Sequence, residues 1–240
     1  MRGPQFSVGK DVSNPELAAA ANGYAARMGQ RRPSTFQDVV MNPAHARRIA
    51  SAYMDAPDFD PRAVPSFRAM ADETAQQFDY MTRPRRRGGL GISVDVTPHD
   101  PYASAADAFA DLRDNRHLSA FSTAATGGHP YFTNDENDMF RLVHDTFGHA
   151  ATGRGFDRHG EEAAYRSHAA MYSPLARTAL ATETRGQNSA LTQGPMPGVF
   201  QDNKIARIAP AMRMEEFTNS ADRDAARAQA QQFHEQVFGR

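Results

Sequence analysis

Helix-start signals recur along this chain, and they constrain its fold more than any other feature. Asn14-Pro15 and Asn42-Pro43 each place a capping side chain before a proline, whose fixed φ suits the first helical position. Thr133 and Glu136 have capping-box spacing ahead of the apolar run Met139-Phe140-Leu142-Val143. Ser173-Pro174 repeats the cap-and-proline pattern. Helices are predicted over 15–28, 43–53, 65–81, 104–115, 133–148, 160–172, 174–188 and 221–238. The third carries Phe67, Met70, Ala71, Phe78 and Met81 on one face at a 3.6 period. Only 92–96, where Ser93 and Asp95 alternate with apolar residues, and 118–122 read as strands. The expected fold is mainly α: a helical domain with a small two-stranded β element and a metal site between helices.

Residues 1–35 are rich in Ala, Gly and Arg and read as an N-terminal arm; 36–240 read as one mainly helical catalytic domain. The run Arg83-Pro84-Arg85-Arg86-Arg87-Gly88-Gly89 reads as a solvated loop. A net charge of -1 gives no electrostatic reason to expect nucleic acid as a partner. No apolar run approaches a membrane span, and MRGPQFSVGKD lacks the apolar stretch of a secretory signal, so a cytoplasmic protein is expected. The absence of cysteine is the sharpest chemical limit. It excludes disulfides, thiolate metal sites and thiol nucleophiles, so any metal must be held by His, Asp and Glu.

Such residues crowd into 144–187. His144 and His149 stand five apart, which on a regular helix separates them by about 140°. They converge on one ion only if the helix ends or widens near Gly148. Two histidines and one carboxylate on one face of Fe(II) leave positions open for oxygen and substrate. Glu183, among Ala179, Leu180, Ala181 and Thr182, is the expected carboxylate ligand, since a buried Glu needs a partner. Glu161 and His168 are i,i+7 on one helix face. They could complete a second metal position or orient His144 and His149 through the other ring nitrogen. With them, Asp145 and Gln187 are candidate catalytic groups; Gln187, four after Glu183, faces the same side. Tyr102, Tyr165 and Arg185, with Asp100, are candidate substrate contacts. His129, in a Gly-Gly-His-Pro turn, reads as an exposed loop histidine.

Residues 140–187 resemble the iron-binding core of the aromatic amino acid hydroxylases, the pterin-dependent iron enzymes. The matching positions are His144-Asp145-x-x-Gly148-His149, the stretch from Phe156 through Glu161-Glu162-Ala163-Ala164, and Thr182-Glu183-x-x-Gly186. The resemblance implies an Fe(II) triad of His144, His149 and Glu183. Asp145 stands where the family has Glu, and Gly186 falls one place late. The family's pterin-contacting segment has no counterpart upstream, so pterin is not carried over.

The leading expectation is a mononuclear non-haem iron oxygenase or hydroxylase acting on a small-molecule or peptide substrate with O2. The alternatives are a zinc or dinuclear metal-dependent hydrolase, and a non-enzymatic helical structural or interaction protein built around a buried polar network.

Overall fold

The structure, a computed structural model, describes residues 14–32, 39 and 41–212. Residues 1–13 and 33–35 of the expected arm, and the predicted helix over 221–238, lie outside the described residues.

The Asn14, Asn42 and Thr133 signals do what their chemistry requires, whereas the helix expected from Pro174 opens at Ala176 with Leu175 at its cap position. Helix α1 (Pro15–Arg27) begins where the Asn14 side chain accepts the Glu16 and Leu17 amides, and α2 (Pro43–Asp55) where Asn42 accepts those of Ala44 and His45. Helix α3 spans Val64–Thr82. Strand β1 (Ser93–Thr97) pairs with β2 (His117–Phe121), with α4 (Ala105–Asp114) between them in sequence. The pairing is parallel, from Ser93↔His117 to Thr97↔Phe121, and parallel strands need such a crossover. Helix α5 (Asn134–His144) opens on the Thr133/Glu136 capping box and continues into a π-helical turn, Asp145–Ala150. Helix α6 (Arg158–Ala169) follows, capped by Asp157. Helix α7 (Ala176–Ala181) runs through a second π turn, Thr182–Gly186, into α8 (Gln187–Gln193); a short α9 (Ala209–Met212) closes the described chain.

Helix α3 joins two apolar clusters. Phe67, Met70 and Ala71 pack with Ile49, Tyr53, Tyr165, Tyr172 and Leu180. Met81, at its other end, packs with Leu118, Leu142, Val143 and Phe147. The polar cluster of α5 and α6 lies where these two cores meet, because Phe140 belongs to the first and Val143 to the second. The described part of the expected arm is a core element: Leu17, Ala21 and Ala25 of α1 are buried, and Asn14 N–H donates to the Ala150 carbonyl at 3.2 Å. Arg116 holds Glu16 of α1 at 2.9 Å, and Arg85, in the exposed basic turn, pairs with the same carboxylate. Among the described residues no helix is long and apolar enough to cross a membrane.

Candidate metal centre

The two histidines converge because the helix widens where the spacing requires it. A π turn carries i→i+5 hydrogen bonding, which brings residues five apart toward one face. The His144 and His149 rings sit with centroids 5.0 Å apart, nearly perpendicular. Gly148 makes this turn fit: a Cβ there would lie 3.1 Å from Ala164 Cβ and 3.3 Å from His144 Cε1. Its absence lets α6 close against the turn.

Helix α6 supplies the carboxylate. The Asp157 side chain accepts the amides of His159 and Gly160, which starts the helix and places Glu161 in its first turn, where the helix dipole favours negative charge. Glu161 Oε1 lies 3.5 Å from His149 Nε2, and Oε2 lies 3.9 Å from His144 Nε2. One ligand atom each from His144, His149 and Glu161 fall within 4.8 Å of one another. The imidazoles are buried, while the Glu161 side chain is 21% exposed.

Burial works to raise the Glu161 carboxyl, but His149 and then His144 outweigh it and hold it far below the usual carboxylate range. Burial works to lower His149, yet the charge and hydrogen bond of Glu161, with Asp145 behind, take it up to about 9. A proton on His149 Nε2 thus occupies the place a cation would take. Burial raises the Asp145 carboxyl, with His149 and His144 pulling the other way.

The donor set fits a divalent ion. His149 Nδ1–H donates to the Arg154 carbonyl at 3.0 Å, so in the neutral ring the Nε2 lone pair faces Glu161. His144 Nε2 is buried with no hydrogen-bond partner, while its Nδ1 is 3.0 Å from His168 Nδ1. An orphaned imidazole nitrogen beside a carboxylate and a second imidazole could serve as a ligand to a metal ion. Phe140 packs 5.6 Å from the His144 ring and Phe156 4.8 Å from that of His149, flanking the site with apolar surface. Phe147 lies in the second apolar cluster and stacks on Tyr80.

The structure distributes the sequence-predicted residues unevenly. It brings together His144, His149, Glu161 and His168, with Asp145 close enough to feel both converging imidazoles. Glu183 differs from expectation: its carboxylate accepts from His129 Nε2 at 3.1 Å, and it is not one of the three converging groups. The reason is local. His129 Nδ1 accepts the amides of Tyr131 and Phe132, which leaves its only proton on Nε2, aimed at Glu183. Arg185 lies in the core, its guanidinium on Glu162 at 2.6 Å and over the Tyr165 ring at 4.9 Å. A substrate role for Arg185 or Tyr165 would have to work through that packing. Tyr102 donates to Asp111 at 2.6 Å and accepts the Ser119 amide, tying α4 to β2. Gln187 donates to Asn203, and Asp100 lies on an exposed loop.

Sequence reasoning missed two residues here. The His129 side chain is buried, and only its partner Glu183 reveals that. Gln77 sits fully buried on α3, 2.9 Å from His168 Nε2. The one available signal was its place between Thr74 and Met81 on the buried side of that helix.

Compared with known protein families, curated proteins and solved structures, the chain shows no significant match. Fold and site together define a mainly helical protein with a His-His-Glu group able to hold a metal ion.

Proposed function

We propose that this chain is a mononuclear non-haem iron oxygenase or hydroxylase, with His144, His149 and Glu161 as the protein ligands of one Fe(II). The observation that carries the reading is the buried, partnerless His144 Nε2 beside Glu161 and His149, in a chain without cysteine. Two neutral imidazoles and one carboxylate match the ligand set that leaves positions open on Fe(II). Bound there, the ion supplies binding and activation of O2 next to a small-molecule or peptide substrate. The residues around it bind, orient and shield: the Arg154 carbonyl holds the His149 ring, and Phe140 and Phe156 limit water at the imidazoles. Glu161 is the most exposed of the three groups. The resemblance to the aromatic amino acid hydroxylases names Glu183 as the carboxylate; the convergence of Glu161 with both histidines favours Glu161.

The test is metal content by mass spectrometry of protein purified without a histidine tag, followed by anaerobic Fe(II) loading and nitric oxide titration. Stoichiometric iron with a nitrosyl spectrum is the expected result. Stoichiometric zinc in oxygen-insensitive protein moves the reading to a metal-dependent hydrolase on the same ligands. No bound metal under either condition leaves a helical structural protein.

A further inference from the structure

We propose that Gln77 and His168 are positioning residues for the metal centre: a hydrogen-bonded relay anchored at the Met171 carbonyl keeps the His144 proton on Nδ1 and turns the Nε2 lone pair toward Glu161 and His149. The proposal rests on the metal reading above and adds two residues, from α3 and α6, that touch no ligand position themselves.

The direction of the relay follows from its anchor. The Met171 carbonyl can only accept, so the Gln77 group facing it at 3.2 Å is the amide nitrogen. That leaves Gln77 Oε1 facing His168 Nε2 at 2.9 Å, where the oxygen accepts and Nε2 carries the proton. His168 is fully buried and its two ring nitrogens face Gln77 and His144 rather than a carboxylate, so a charged ring would have no counter-charge there; the ring is neutral and its Nδ1 carries only a lone pair. The neighbour of that lone pair is His144 Nδ1 at 3.0 Å, which must then donate. With its proton on Nδ1, His144 presents an unprotonated Nε2, the same nitrogen that is buried without a partner. Reversing any one link sets two lone pairs or two N–H groups face to face, or turns the Gln77 oxygen against a carbonyl.

The surroundings hold the rings in that orientation. Phe140 stacks on His168 at 11° between planes, and Tyr172 lies 4.8 Å from the same ring. Tyr172 is itself pinned by Thr74 at 2.6 Å, one turn before Gln77 on α3. Each ligating imidazole therefore ends on a backbone carbonyl: His149 directly on Arg154, and His144 through His168 and Gln77 on Met171. A preset tautomer spares the ion the reorganisation that would otherwise weaken binding.

The experiment pairs a metal-free with a metal-dependent measurement. In metal-free protein with nitrogen-15-labelled histidine, at mildly alkaline pH, long-range proton–nitrogen correlation spectra read the tautomer of each ring. Wild type should show His144 protonated on Nδ1 and His168 on Nε2. Co(II) titration should show Gln77→Leu and His168→Leu binding about 10–100-fold more weakly than wild type. His168→Asn, whose amide oxygen can take the place of Nδ1, should recover most of that affinity with circular dichroism unchanged. A wild-type His144 protonated on Nε2 overturns the relay, whatever the metal result. Unaltered Co(II) affinity in both leucine variants overturns the positioning role. Wild type that takes up no Co(II) overturns the metal reading instead, and the tautomer spectra still decide the relay.

Discussion

Glu183 accepts a hydrogen bond from His129 at 3.1 Å in a pair whose side chains are almost wholly buried, while among the described residues it is Glu161 whose carboxylate converges with the two imidazoles. The two carboxylates therefore answer to different tests. Glu161→Ala should abolish stoichiometric metal and leave the helical circular dichroism largely intact. Glu183→Ala should retain metal and lose stability, because the His129 Nε2–H is left buried without an acceptor at a cost of about 1–3 kcal/mol. Metal analysis with thermal unfolding of the two variants separates the roles; metal lost only in Glu183→Ala would return the ligand to the position the hydroxylase resemblance assigns.

Metal binding should depend on pH through His149. Its pKa is raised to about 9, so at neutral pH an incoming ion displaces a proton, and apparent affinity should rise about tenfold per pH unit toward that value. In metal-free protein the stabilisation from this raised pKa is fully present below the unfolded value of 6.5 and is lost as pH rises through about 9. For Glu161 the sign reverses: its contribution is present above the unfolded value of 4.5 and is lost as pH falls through its depressed folded value. Denaturant unfolding from acid to alkaline pH should show both losses, and Glu161→Gln should remove both.

Gly160→Ala should disable the site without touching a ligand. A Cβ at Gly160 would lie 1.8 Å from the Gly155 carbonyl oxygen, so the start of α6, and Glu161 with it, must shift. Metal affinity should fall sharply. The control is Gly23→Ala on an exposed face of α1, where nothing lies within 4 Å of the new Cβ; it should stabilise by about 0.5–1 kcal/mol and leave metal binding unchanged.

Glu162 and Arg185 form a buried ion pair, with Arg166 as a second partner of Glu162 at 2.7 Å. Glu162→Ala should destabilise by about 3–5 kcal/mol, since it removes the carboxylate that compensates the buried Arg185 charge. Arg185→Ala should cost less, because Arg166 still pairs with Glu162. Both variants should keep their metal. Calorimetry with metal analysis checks this, and a loss of activity in Arg185→Ala at unchanged stability would restore its expected substrate role.

Local signals were legible wherever a few adjacent residues decide the outcome. Asn14, Asn42 and Thr133 cap the helices they were read to cap, since each cap closes within three residues. The i,i+5 spacing of His144 and His149 demanded a widened turn, and the chain makes one at Gly148. The two strands were located within a residue, but their parallel pairing was not legible: it depends on where α4 carries the chain rather than on the strands' own residues.

The amino-acid order by itself determined most of the described helices, the caps at Asn14, Asn42 and Thr133, the π-turn requirement and the restriction of any metal site to His, Asp and Glu. Only the tertiary structure decided which carboxylate meets the histidines. Glu161 and Glu183 are both acids on short helical segments near small residues, and no local pattern distinguishes them. Glu161 reaches the imidazoles because Gly148 lets α6 press against the π turn, whereas Glu183 meets a histidine 54 residues away whose tautomer is set by two backbone amides. Gln77 joins the cluster across 91 residues of sequence. Contacts of that range arise from the packing of whole helices, and they are settled only when the chain has closed on its core.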